Sequence, residues 1–243
     1  MDNIKQIRIT SIWIFILPVV ILNLCLFISV NGHLLQGTIF QVDAIGRSSF
    51  TIPYIDGGTS ISRVSRTYPT YLLFKPGMII TAILLIKYWL ANNFLINKIN
   101  NQGKKTNYFL LFGIGSAFFL ILHSILLGIT FEDNIYKFFR RFVLLGFIIF
   151  EIIAQTLLVV SIFKAKDKIS EFINKRILIL KIILVSVLII VALISIPILN
   201  SSELSNYKHT LEWNYFLGVV SFYLLTFLFW KKNKPSVHTP KGV

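Results

Sequence analysis

Five basic side chains pose the first chemical question: Arg63, Arg66, Lys75, Arg140 and Arg141. A guanidinium group grips a phosphate through two parallel N–H bonds, which an ammonium cannot do. Together the five have the chemistry to hold the head group of an anionic lipid. The other reading is that they pair with Asp43, Asp56, Glu132, Asp133 and Glu212 and close the protein surface. A second set is polar within greasy surroundings. Glu151 interrupts an apolar run, where a carboxyl costs about 2.5–3.5 kcal/mol even on the mildest scale. Gln155 lies one helical turn on, on the same face. The pair reads either as part of a polar groove or proton path, or as interhelical glue worth about 0.6–2 kcal/mol. His123, beside Ser124, is either a titrating group or a hydrogen-bonded core histidine. The other histidines, His33, His209 and His238, show no ligand spacing, so no metal and no cofactor is expected. The sequence holds no G-x-S-x-G, H-E-x-x-H or Walker motif, and no catalytic residue is assigned.

The elements that must position these groups are membrane helices. Hydrophobic residues make up 55% of the chain and charged residues 14%, against about 25% charged in a soluble domain. Apolar runs predict six spans, at about 9–30, 69–90, 108–131, 142–163, 177–199 and 213–230. Each is long enough for a hydrocarbon core of about 30 Å. The expected fold is an all-α polytopic membrane protein, a single six-helix domain covering residues 1–243. The runs are apolar on every face, which excludes a barrel. The first span reads as retained rather than as a cleaved signal, because its apolar run exceeds an h-region.

Lys and Arg set the orientation. With the N-terminus inside, sixteen of the 24 fall at the cytoplasmic end, Lys181 counted among them. Both termini are therefore expected in the cytoplasm. This bias also accounts for the net charge of +14 without nucleic acid. Residues 31–68 then form a long first extracytoplasmic loop, in which Gly37–Val42 and Phe50–Ile55 are strand-like and suggest a hairpin. Residues 231–243 read as a disordered basic tail. The one cysteine, Cys25, lies in the first span, so no disulfide staples the loop.

Three stretches resemble one family. The first is Pro53-Tyr54-Ile55-Asp56-Gly57-Gly58, followed by Pro69 and Phe74. The second is Glu212-Trp213, then Gly218, then Phe222-Tyr223-Leu224-Leu225-Thr226-Phe227. The third is Gln155-Thr156-Leu157-Leu158. The pattern is similar to the first loop, last span and fourth span of the Frag/DRAM/Sfk family of six-span proteins, related to the N-terminal domain of glycosylphosphatidylinositol-anchor remodelling proteins. Asp56 stands where the family has Ser, the loop lacks the cysteines some members carry, and Tyr136-Lys137-Phe138-Phe139 occupies the region of a frequent His. The resemblance implies cytoplasmic termini and a role in lipid handling: anchor remodelling, control of phosphoinositide synthesis, or autophagy. The expected function is non-enzymatic binding or organisation of membrane lipid through the first loop. A lipid-modifying enzyme or its accessory subunit is the alternative, with a small-solute transporter behind it. The expected partners are membrane lipids, anionic ones included, and the expected location is the cell membrane, or an endomembrane in a eukaryote.

Overall fold

The computed structural model describes residues 2–41, 50–101, 105–128, 134–200 and 204–231, and within these the side chains of 2, 134–137, 140–141 and 196–200 are not described. The chain is helical: α1 Asp2–Val30, α2 Ile61–Arg66, α3 Tyr71–Ile99, α4 Tyr108–Leu126, α5 Asn134–Ala165, α6 Lys175–Asn200 and α7 Ser205–Phe229, with a 3-10 turn at Gly32–Leu35. Six stretches are long and apolar enough to cross a membrane: Asn3–Val30, Tyr71–Ile99, Tyr108–Leu126, Phe142–Ala165, Lys175–Ser195 and Ser205–Phe229. Their sequences place apolar residues on all sides, as lipid-facing helices require.

The six long helices close a ring in the order α1, α3, α4, α5, α6, α7, with α7 returning to α1. Close packing between α4 and α5 rests on glycine. At Gly115 a Cβ would collide with the Phe150 ring, and at Gly146 with the Phe119 ring. Small residues let helix backbones approach where lipid supplies no hydrophobic drive between helices.

One end of the bundle carries the start of α1 and the end of α7, here the terminal end. Arg8 lies over the Phe227 ring at 4.9 Å and donates to the Phe227 carbonyl at 3.4 Å. The α5–α6 connector is pinned to the end of α7 by Asn174 N–H to Phe229 O and Lys231 N–H to Phe172 O, both 2.9 Å. The α3–α4 turn closes on asparagines. Asn107 donates from Nδ2 to Asn93 at 2.8 Å and to Asn97 at 2.9 Å, which satisfies polar groups beyond the apolar run.

The other end carries the first loop. The expected hairpin does not form: no strand occurs among the described residues. Local side chains take the backbone groups a ladder would need. Thr38 donates to Leu35 O at 2.7 Å and accepts from Phe40 N–H at 3.2 Å. The Ile52 carbonyl accepts from Ile55 and Asp56 N–H at 2.8 and 3.0 Å, and Asp56 takes the Ile52 N–H at 2.8 Å. Val42 and the seven residues after it lie outside the described residues.

Candidate functional site

The loop builds its seat on α7. Asp56 organises a tight turn by accepting from the Thr51 hydroxyl, from Ile52 N–H and from Gly58 N–H. The Thr51 hydroxyl, then the Gly58 and Ile52 amides, hold the Asp56 carboxyl below the usual carboxylate range. The turn exposes carbonyls that α7 side chains collect. His209 Nδ1 meets Gly57 O at 2.9 Å, Trp213 Nε1 donates to Thr59 O at 2.9 Å, and Asn214 Nδ2 donates to Tyr54 O at 2.7 Å. The Glu212 carboxylate accepts from the first backbone amides of α2, Ile61 and Ser62. Ser60 caps the same helix through Arg63 N–H at 3.2 Å. Gly57 has a φ of +62°, and a Cβ there would strike the Asn206 carbonyl, so only glycine lets the loop lie this close.

Tyr54 ties the loop to two helices, α7 and α1. Its ring meets Trp213 edge-on at a centroid distance of 5.0 Å, and its hydroxyl accepts from Asn23 Nδ2 of α1 at 3.1 Å. Partial burial raises the Tyr54 pKa, against the lowering effect of the Asn23 bond. Val64 of α2 is buried at the same end, as are Pro53, Pro69 and Phe74, whereas Ile55 and Gly58 are exposed.

The basic set is spread across this end. Arg63 and Arg66 are exposed on α2. Lys75, in the second turn of α3, sends Nζ to Ile125 O near the end of α4 at 3.4 Å and sits over the Tyr71 ring at 5.6 Å. Arg140 and Arg141 fall on α5, and their side chains lie outside the described residues, as do Asp43, Glu132 and Asp133. The two described acidic partners, Asp56 and Glu212, receive hydroxyl and backbone donors.

The buried polar set is larger than the sequence suggests. Glu151 is 1% exposed and takes three donors from three helices. Ser116 Oγ of α4 donates to Oε2 at 2.6 Å, Gln155 Nε2 of α5 donates to Oε1 at 2.9 Å, and the Tyr223 hydroxyl of α7 donates to Oε1. Gln155 Nε2 also reaches Val219 O at 3.2 Å. The Tyr223 ring packs against Tyr88 of α3 at 4.9 Å. Tyr88 in turn shares a hydrogen bond of 3.2 Å with Thr226, which receives Lys181 Nζ at 2.7 Å. Lys181, counted by sequence at the cytoplasmic end, is fully buried, with Nζ 3.9 Å from the Phe222 centroid. His123 is buried two turns of α4 from Ser116. The i, i+4 spacing of Glu151 and Gln155 was readable. Ser116, Tyr88, Tyr223 and Thr226 come from other helices, and only Tyr223 and Thr226 carried a sequence signal, as part of the last-span pattern.

A groove of about 380 Å³ opens to the side between α5 and α6, lined by Ile149, Ile152, Ile153, Thr156, Leu157, Ile189, Ala192 and Leu193. Its one polar side chain, Thr156, donates to its own helix at Ile152 O, 2.7 Å away. Glu151, Gln155 and His123 do not line it. Among the described residues no three His, Cys, Asp or Glu side chains gather as a metal site would need. Comparison with family models, curated proteins and solved structures returns no match to this chain.

Proposed function

We propose that this multi-pass membrane protein binds and organises lipid without catalysis, a reading within the lipid-handling role that the resemblance to Frag/DRAM/Sfk proteins implies. The observation that carries the reading is the α5–α6 groove. It faces the bilayer and offers no free donor or acceptor, so its chemistry suits an acyl chain. Its volume falls in the range of small-molecule sites, about 300–1,000 Å³. Arg141 precedes Ile152 on α5 by eleven residues. That is about three helical turns and about 16 Å along the axis, so Arg141 falls on nearly the same side of the helix as the groove, at a distance one lipid covers from head group to chain. A phosphate held by arginine and a chain in the groove would together favour anionic lipid. The positive-inside bias places both termini in the cytoplasm and this end outside, with the cell membrane as the expected location.

An enzymatic reading requires a substrate to reach Glu151. Its carboxylate is enclosed by Ser116, Gln155 and Tyr223, and the open groove has a wholly different lining. This favours the binding reading.

The test is lipid retention in native mass spectrometry after exchange into mixed phosphatidylglycerol and phosphatidylcholine. Ala192→Phe fills the groove and should lower retention of both lipids. Arg140→Gln with Arg141→Gln should lower phosphatidylglycerol selectively, by about tenfold for one lost charge-assisted bond of about 1.5 kcal/mol. Unchanged retention in both variants would sink the proposal.

A further inference from the structure

We infer that the first loop is an interfacial wedge, seated in the lipid leaflet between α1 and α7 with Phe50, Ile52 and Ile55 against acyl chains. The sequence alone reads residues 31–68 as a loop outside the bilayer. The depth of its contacts says otherwise.

Two helices measure that depth independently. The Tyr54 carbonyl accepts from Asn214 at 2.7 Å. Asn214 lies fifteen residues before Phe229, where α7 ends and Lys231 soon follows. Fifteen residues are about 22 Å of helix, which is about 8 Å short of a hydrocarbon core of about 30 Å. The Tyr54 hydroxyl accepts from Asn23 at 3.1 Å. Asn23 lies fourteen residues beyond Ile9, where the charge-free run of α1 begins. Fourteen residues are about 21 Å, again about 9 Å inside the far boundary. Helix tilt increases the number of residues needed to cross, and so places both contacts deeper.

The surface chemistry agrees. Phe50 is 83% and Ile55 78% exposed, with Ile52 also open. Leu24 and Phe27 are exposed on α1 next to the level of Asn23. The loop's apolar side chains therefore extend the lipid-facing surface of α1. Non-helical backbone is tolerated near lipid only where its polar groups are satisfied by protein. The Ile52 N–H goes to Asp56, and the carbonyls of Ile52, Tyr54, Gly57 and Thr59 each find a donor. The charged part of the turn rises away from the dip. Gly57 packs against Asn206, two turns nearer the start of α7 than Asn214, and carries Asp56 toward the head groups.

The wedge is independent of the α5–α6 groove and stands whether or not a lipid binds there. The test is nitroxide power saturation in nanodiscs of phosphatidylcholine and phosphatidylglycerol, in a Cys25→Ser background. Labels go on Phe50→Cys, Ile52→Cys, Ile55→Cys and, as the water-facing reference, Tyr207→Cys, which lies 22 residues before Phe229 and so about 33 Å along α7, beyond the hydrocarbon core. All four side chains are exposed, so labels do not disturb packing. The expected result is an oxygen-to-nickel-chelate collision ratio above one at Ile52 and Ile55 and below one at Tyr207. Chelate collisions dominating at both isoleucines would put the loop in water and overturn the inference. Low collision rates with both reagents would mean a second protein surface covers the patch, which overturns it equally.

Discussion

Replacing Glu151 tests whether this buried carboxylate serves its hydrogen bonds or its charge. Three donors converge on it, and they do not depend on it equally. Ser116 Oγ also lies 2.9 Å from Gly113 O, and Gln155 Nε2 also lies 3.2 Å from Val219 O. Tyr223 has no such second acceptor among its described bonds. Glu151→Gln keeps an oxygen for Tyr223 and Gln155. It also turns an amide toward Ser116, whose oxygen accepts while its proton goes to Gly113. The expected cost is under about 1 kcal/mol, since no group loses its partner. Glu151→Leu strands the Tyr223 hydroxyl in a dry interior, at about 1–3 kcal/mol. Adding Tyr223→Phe to Glu151→Leu removes the stranded hydroxyl. The double variant should therefore be less impaired than the single costs sum to, with a coupling of about 0.6–1.7 kcal/mol for a pair inside a membrane bundle. The assay is reversible unfolding by steric trapping in bicelles, read for the four corners of the cycle and for Glu151→Gln. If Glu151→Gln costs as much as Glu151→Leu, or the cycle shows no coupling, the hydrogen-bond account fails and the charge itself must carry the role.

Two further perturbations probe the loop. Gly57→Ala drives a Cβ into the Asn206 carbonyl at a φ of +62°, whereas Gly37→Ala, at a φ of +76° with nothing nearby, meets backbone strain alone. Left-handed strain costs about 1–3 kcal/mol, so tryptic cleavage after Arg63 should accelerate in Gly57→Ala well beyond Gly37→Ala; equal rates would refute the seating on α7. Asp56 has a depressed pKa in the folded chain, so its contribution is present above the unfolded value of about 3.9 and is lost as pH falls through the folded value. Amide exchange of a peptide covering Ile52–Gly58, corrected for intrinsic rate, should stay protected down to about pH 4 and open below it, and Asp56→Asn should abolish that dependence.

The six spans were legible because lipid leaves helices few options: about twenty apolar residues, charge at the ends, helical hydrogen bonding throughout. Gln155 was legible as the partner of Glu151 because one helix holds both at i, i+4. Lys181 was not. A lysine about four residues into a span reads as a snorkelling side chain, and only the face of α7 that bears Thr226 and Phe222 decides that it turns inward. The loop misled for a related reason. Gly37–Val42 and Phe50–Ile55 carry the apolar content of strands, but apolar residues exposed beside a bilayer need no second strand. Glu212-Trp213 was legible as a pattern and not as a clamp, because its partners Ile61, Ser62 and Thr59 lie some 150 residues away.

The bundle is not held equally on all sides, and the reason lies in residue size and polarity. Glu151 turns α5 toward Ser116 of α4 and Tyr223 of α7, and the α4–α5 seam closes over Gly115 and Gly146. The opposite face of α5 presents Ile149, Ile152, Ile153 and Leu157 to Ile189 and Leu193 of α6, with Ala192 the one small side chain lining the gap. Branched side chains on both helices hold the backbones apart, and no polar bond crosses that seam among the groove residues. Helix α6 is instead fastened to α7, by Lys181 to Thr226 at 2.7 Å and by the Tyr215 hydroxyl to Leu188 O at 3.4 Å. The groove therefore sits where side-chain bulk spreads two neighbouring helices, and a buried lysine anchors the helix that forms its far wall.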